Sequence, residues 1–184
     1  MRCLTLILAL AALPAFASDS CDDLWFTRNL VFDRAGYCFG SVLGQAVFDN
    51  GDCVTKNPVL SAEDRAIIDA VKAAEREYAC KVDTTRMGLN LPGLAARKAM
   101  ATLPVLDIFE SACFGWLRDE VVLFDGIGAG RREIGVVRRG DDIFFQHVYR
   151  EPFDFVTVYR DEVFQTQGWG VFTFGEAACE MAAG

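Results

Sequence analysis

The stretch Glu133-Ile134-Gly135-Val136-Val137-Arg138-Arg139-Gly140-Asp141-Asp142-Ile143-Phe144-Phe145-Gln146-His147-Val148-Tyr149 decides the fold of the C-terminal half. Its two runs, 133–138 and 143–149, are rich in β-branched and aromatic residues, and the turn between them is charged and carries a glycine. Such runs read as short strands. Working outward, Val121–Phe124, Phe153–Tyr159 and Gly170–Phe174 repeat the pattern, with Asp125-Gly126-Ile127-Gly128-Ala129-Gly130 as a further turn. Short strands at regular spacing predict a small antiparallel sheet or a barrel.

Upstream the period changes from strand to helix. Ser20-Cys21-Asp22-Asp23 has the form of a capping box, followed at helical spacing by Leu24, Trp25, Arg28, Val31, Phe32 and Ala35, with Gly36 at the expected C-terminal stop. Ser41 is expected to cap a short helix through Val47, and Ser61-Ala62-Glu63-Asp64 a longer one with Ile67, Ile68, Val71, Ala74 and Tyr78 on one face. A further helix over Leu94–Leu103 must stop before Pro104. The fold class is therefore α+β, a small helical module followed by a β-rich one. The expected divisions are a leader at 1–17, helices at 18–90 and strands at 91–184.

Met1–Ala17 reads as a signal peptide. Arg2 precedes an apolar run from Leu4 to Leu13, and Ala15-Phe16-Ala17 offers a small-residue cleavage site with the cut after Ala17. Cys21 is not placed for lipidation, because it follows Ser18-Asp19-Ser20 instead of a leucine and two small residues. No segment is long enough to span a bilayer. Beyond Cys3, six cysteines remain, an even number that implies disulfides in an exported chain. Their spacing has no close pair suited to zinc, so no metal site is expected. Six cysteines allow 15 connectivities. The favoured one joins Cys38 to Cys53 around a short helix and its turn, Cys21 to Cys80, and Cys113 to Cys179 at the edges of the strand-rich block.

Composition narrows the function classes. With 52% hydrophobic and 24% charged residues, the 184-residue chain is neither disordered nor low in complexity. Its net charge of −8 repels phosphate backbones and argues against nucleic acid as a partner. The single histidine, His147, has no Gly-x-Ser-x-Gly partner, and strict alternation places it with Phe145 and Tyr149 on one strand face, packed or facing water. Gly126–Gly130 lacks the Gly-Lys-Ser/Thr ending of a phosphate loop and reads as a hairpin loop. Asp49-Asn50-Gly51-Asp52 has Leu60 where a calcium loop needs Glu, and reads as a turn. No residue is assigned a catalytic role and no cofactor is expected, although a pair of carboxylates brought together in space is invisible to this reading. The candidate binding residues are Trp169, as an exposed platform beside two glycines, and Tyr159, with Arg131 and Arg132 as a local anion site facing Arg138 and Arg139. Trp25 is expected in the core, while Trp116 and Tyr149 complete the aromatic set.

Residues 24–39, Leu-Trp-Phe-Thr-Arg-Asn-Leu-Val-Phe-Asp-Arg-Ala-Gly-Tyr-Cys-Phe, resemble the YARHG domain, a helical module of exported bacterial proteins. The core is Phe32-Asp33-Arg34-Ala35-Gly36, flanked by Arg28, Asn29 and Tyr37, and Ala35 stands where the family has His. The resemblance covers about residues 21–80, including the helix that ends Glu75-Arg76-Glu77-Tyr78-Ala79-Cys80. It implies a compartment and a local fold more than an activity. Ile134-Gly135-Val136-Val137, Gly140-Asp141, Phe155-Val156-Thr157-Val158 and Gly168-Trp169-Gly170-Val171 are similar, more loosely, to bacterial SH3-like domains, which implies a module that recognises cell-wall peptide or glycan. The expected protein is a periplasmic or secreted, non-enzymatic module that binds peptidoglycan or an envelope protein. The alternatives are a secreted inhibitor of a protein such as a hydrolase, and a hydrolase using two carboxylates.

Overall fold

The computed structural model describes residues 16–175 and 177–184. The expected leader therefore lies outside the described residues, except for Phe16 and Ala17. Four helices come first: α1 (Phe16–Arg34), α2 (Val42–Phe48), α3 (Ala62–Glu77) and α4 (Leu94–Lys98). Seven strands follow: β1 (Leu106–Trp116), β2 (Val121–Phe124), β3 (Glu133–Val137), β4 (Asp142–His147), β5 (Asp154–Arg160), β6 (Val163–Gly170) and β7 (Cys179–Ala183). They form one antiparallel sheet in the order β3-β2-β6-β5-β4-β1-β7, so of the two expected arrangements the strands take the sheet. The runs at 133–138 and 143–149 are both strands, yet they are not neighbours. The turn between them instead packs on the end of β1, through hydrogen bonds from Trp116 N to Asp141 O (2.8 Å) and from Gly140 N to Trp116 O (2.8 Å).

Local chemistry explains most helix ends. Gly36 (φ +76°) ends α1 in a Schellman motif: Gly36 N donates to Asp33 O at 2.8 Å and Tyr37 N to Phe32 O at 3.0 Å. The Phe32 and Tyr37 rings pack 5.9 Å apart across it, the apolar contact that accompanies this motif. Ser61 and Asp64 form the expected reciprocal capping box on α3. The first expected box does not form, because α1 runs straight through Ser20 and the Asp23 carboxylate is engaged elsewhere. The last expected helix is also shorter: Ala101 N donates to Asp125 O at 2.7 Å, which pulls the chain onto the β2–β3 loop.

The three disulfides are Cys21–Cys80, Cys38–Cys53 and Cys113–Cys179. The first ties α1 to the end of α3, which runs antiparallel to it, as the Arg28–Glu75 ion pair about two turns further along α1 confirms. The helices cover one side of the sheet. Trp25, Phe26 and Leu30 of α1, Leu43 and Phe48 of α2 and Ile68 of α3 share one buried cluster with Phe155 of β5 and Trp169 of β6. Trp116, Leu123, Val137, Ile143, Val156 and Val158 make a separate core, closed by Phe172 and Ala178. Alternate residues of β5 thus serve two cores, Phe155 one and Val156 and Val158 the other, as the period of a strand requires.

Candidate functional site

Two neighbouring aspartates of α1 gather the rest of the site. Asp22 accepts from the Arg86 guanidinium and from Asn90 N (2.7 Å), which fixes the segment before α4. Asp23 is buried and receives a two-pronged bond from Arg97 of α4, Nη1 to Oδ2 at 2.6 Å and Nη2 to Oδ1 at 2.8 Å. Nη2 of Arg97 also donates to Thr27 Oγ1 at 3.0 Å. The guanidinium lies 5.2 Å from the Phe155 ring centre and 5.9 Å from that of Phe26. His147 closes the group, with Nε2 3.2 Å from Asp23 Oδ2 and its ring 4.8 Å from that of Phe155.

The charge states follow from this geometry. Burial alone would raise the Asp23 carboxyl, but Arg97 and His147 together outweigh it and hold Asp23 well below the usual carboxylate range. Burial pushes His147 down, with Arg97 adding to the effect, against the pull of Asp23. The imidazole is therefore neutral and donates Nε2–H to the Asp23 carboxylate, which leaves Nδ1 as a buried acceptor with no partner among the described residues. Arg97 and Asp23 balance, so the cluster carries no net charge. It joins α1, α4 and β4, elements distant in sequence. The alternation expected for β4 breaks here: Phe145 packs on Phe172 and Phe174, while His147 turns to the helices, at the point where the β1–β4 register shifts between Leu106 and Ser111.

A pocket of about 250 Å³ opens beside this cluster, between α1, the Leu91-Pro92 segment and the sheet. Asp23, Arg97 and His147 form part of its wall, with Phe144, Gln146, Thr157, Tyr159 and Gln167 from the sheet. Gln167 Nε2 donates to Gly93 O (2.9 Å) and Pro92 O (3.2 Å), which holds the rim. Tyr159, a candidate binding residue, does lie on this wall.

The other candidates are placed differently. Trp169 is 0% exposed, packs against Phe155 and donates Nε1–H to Thr102 O at 3.0 Å, so it is core and not an exposed platform. Its flanking glycines reflect close packing, since a Cβ on Gly170 would lie 2.8 Å from Leu123 Cδ2. Arg131 and Arg132 do not converge on an anion. Arg132 pairs with Asp125 (Nε–Oδ2 2.7 Å), while Arg131 lies over the Phe124 and Phe153 rings at 4.7 and 5.2 Å. Arg138 pairs with Glu120 and Arg139 donates to Leu117 O, so each arginine is taken up locally. Gly126–Gly130 is the loop of the β2–β3 hairpin, as its sequence suggested.

The motif residues of α1 act as joints. Arg28 grips Glu75 of α3 through Nε at 3.0 and 3.1 Å, and Asn29 donates to Trp25 O at 2.7 Å. Arg34 reaches the carbonyls of Lys98 at the end of α4 and Met100 just beyond it, at 3.0 and 2.6 Å, and Tyr37 meets Phe39 edge-on at 5.1 Å. Among the described residues no group of three or more His, Cys, Asp or Glu is placed to hold a metal ion, and no helix is long and apolar enough to cross a membrane.

Sequence reasoning missed Asp23 and Arg97 as a pair, taking Asp23 for a cap. The lone histidine was the available signal, but its partner lies 124 residues away. No curated protein and no solved structure matches the chain. Family models do: the YARHG domain matches residues 3–76 and a domain of unknown function, DUF4453, matches residues 79–184. The two matches meet beside Cys80, where the first disulfide ends, and the chain, carrying a YARHG domain ahead of that longer match, belongs to the DUF4453 family.

Proposed function

We propose that the protein is an exported, non-enzymatic binding or interaction module of the bacterial cell envelope, acting in the periplasm or outside the cell. The observation that carries the reading is that every cysteine from Cys21 onward is in a disulfide, with bridges in both the helical and the β-rich parts. Such complete pairing belongs to an oxidising compartment. The signal-like sequence at 1–17 and the YARHG match support export. The buried Asp23–Arg97–His147 group supports a non-enzymatic role: its charges balance, and the Thr27 hydroxyl beside it is already bonded to Arg97.

A direct test is co-sedimentation of the oxidised protein with purified peptidoglycan sacculi at low and high salt. Pelleting that survives high salt is the expected result. Absence from the pellet at both salts removes the peptidoglycan reading.

A second reading, an inhibitor-like factor that docks on a protein, is favoured by one feature of β1. The residues at its register shift carry Phe109 at 77% exposure and Ile108 at 47%, between Asp107 and Glu110. Exposed apolar side chains rimmed by acid suit a partner with a basic border. Phe109→Ser would abolish capture of such a partner from an envelope extract and leave sacculus binding intact.

A further inference from the structure

We infer that the pocket beside Asp23, Arg97 and His147 binds one uncharged sugar ring. Its volume of about 250 Å³ lies below the roughly 300–1,000 Å³ of sites for drug-sized ligands, which limits the occupant to a single small ring. The charges in its wall are spent on one another. Arg97 donates to Asp23 and Thr27, Asp23 accepts from Arg97 and His147, and His147 is neutral. An anion would meet no available cation there, and a cation would find the Asp23 carboxylate already neutralised.

What the wall does offer is neutral hydrogen bonding. Thr157, only 7% exposed, brings a hydroxyl to the wall. Gln167 is 1% exposed, and its amide nitrogen is used on Pro92 and Gly93. The atom of this wall that is buried without a partner among the described residues is His147 Nδ1, a costly state that a ligand hydroxyl relieves by donating to it, while the Thr157 hydroxyl can exchange a second bond with the same ligand. The rings of Phe144 and Tyr159, set edge to face at 5.4 Å, form the apolar part of the wall. A pyranose has this divided character, hydroxyls around its edge and a C–H face for an aromatic ring. The inference names the ligand chemistry of one site and does not depend on where in the envelope the protein works.

The test is titration of the oxidised full-length protein with N-acetylglucosamine, glucose, glucosamine and glucuronate, followed by NMR shifts of the single His147 ring and by calorimetry. The expected result is saturable binding of N-acetylglucosamine or glucose, weaker by tenfold or more for the charged analogues. Thr157→Val, close to isosteric, should weaken binding about tenfold while the melting temperature stays near that of the parent. Absence of a saturable response to either neutral sugar, tighter binding of a charged analogue, or unchanged affinity in Thr157→Val overturns the inference. Sugar binding without sacculus binding would sustain this site and remove the peptidoglycan reading, so the two failures are distinguishable.

Discussion

Replacing Arg97 by Met removes one partner from a buried ion pair and nearly preserves the length of the side chain. The loss comprises two bonds to Asp23 at 2.6 and 2.8 Å and one to Thr27 at 3.0 Å. The larger consequence is a carboxylate left buried without its cation, which destabilises proteins by about 3–5 kcal/mol. For a chain of this size that corresponds to a fall in melting temperature of roughly 6–20 °C. The pH dependence supplies a sharper check. In the parent the His147 pKa is lowered by burial and by Arg97, so its contribution to stability is complete above the unfolded value near about 6.5 and fades as pH falls below it. Asp23, also lowered, adds a further loss at pH values below about 4. Of the charged groups facing the imidazole, Asp23, Asp107 and Arg97, only Arg97 opposes its protonation. Without it, burial still opposes protonation but less is set against the pull of Asp23, so His147 takes up a proton more readily than in the parent and supplies part of the charge that Asp23 lacks. Its folded pKa then lies higher than in the parent, so the variant loses less stability than the parent as pH falls through about 6.5. Urea unfolding followed by far-ultraviolet circular dichroism should therefore show a deficit of about 3–5 kcal/mol at pH 8 that shrinks at pH 5.5. A loss below about 1 kcal/mol, or the same deficit at both pH values, would refute this account of the cluster. Adding Asp23→Leu should recover much of the stability, since an apolar pair of similar volume replaces a buried ionic one at little cost.

Other sites make separate tests. Gly36→Ala places a Cβ 2.7 Å from Val54 Cγ2 at φ +76°, and should lower stability by about 1–2 kcal/mol in urea titration; an unchanged midpoint would contradict the Schellman ending of α1. Burial raises the Asp154 pKa to about 6, so the group subtracts stability as pH rises from its unfolded value near about 4 through about 6. Asp154→Asn should thus melt higher than the parent at pH 7 and at the same temperature at pH 4. Trp169→Ala empties a core position that also hydrogen-bonds Thr102, and should cost about 3–5 kcal/mol; a stability loss under about 1 kcal/mol would return Trp169 to the list of surface residues.

Local signals were legible where they are self-contained. The Ser61–Asp64 box, the Gly36 stop and the runs at 121–124 and 133–138 act within a few residues, and each is found in the structure. β1 and β6 went unseen for a physical reason. β1 is interrupted at its register shift, with four consecutive exposed residues, and β6 mixes Gln165, Thr166 and Gln167 into a run that carries little apolar signal. The expected strand at 170–174 lies beyond the end of β6, because Phe172 leaves the ladder to close the second core. Trp169 was misread because glycine neighbours suggest an open loop, whereas here they let Leu123 approach. The candidate site was the least legible part. Asp23, Arg97 and His147 have separations of 74 and 50 residues along the chain, and no local pattern encodes their meeting.

The covalent graph of the chain falls into two blocks. Cys38–Cys53 is nested inside the ring closed by Cys21–Cys80, and Cys113–Cys179 closes a second ring further along, so no bridge links the first to the second. Between Cys80 and Cys113 the two rings are joined by a single thread of backbone, which includes the exposed residues Asp83, Thr84, Thr85, Met87 and Gly88. One protease cut in that thread would leave a particle that still sediments as one under native conditions, held by the shared core and by Asp22 and Asp23. In detergent, without any reductant, the same particle would part into two pieces.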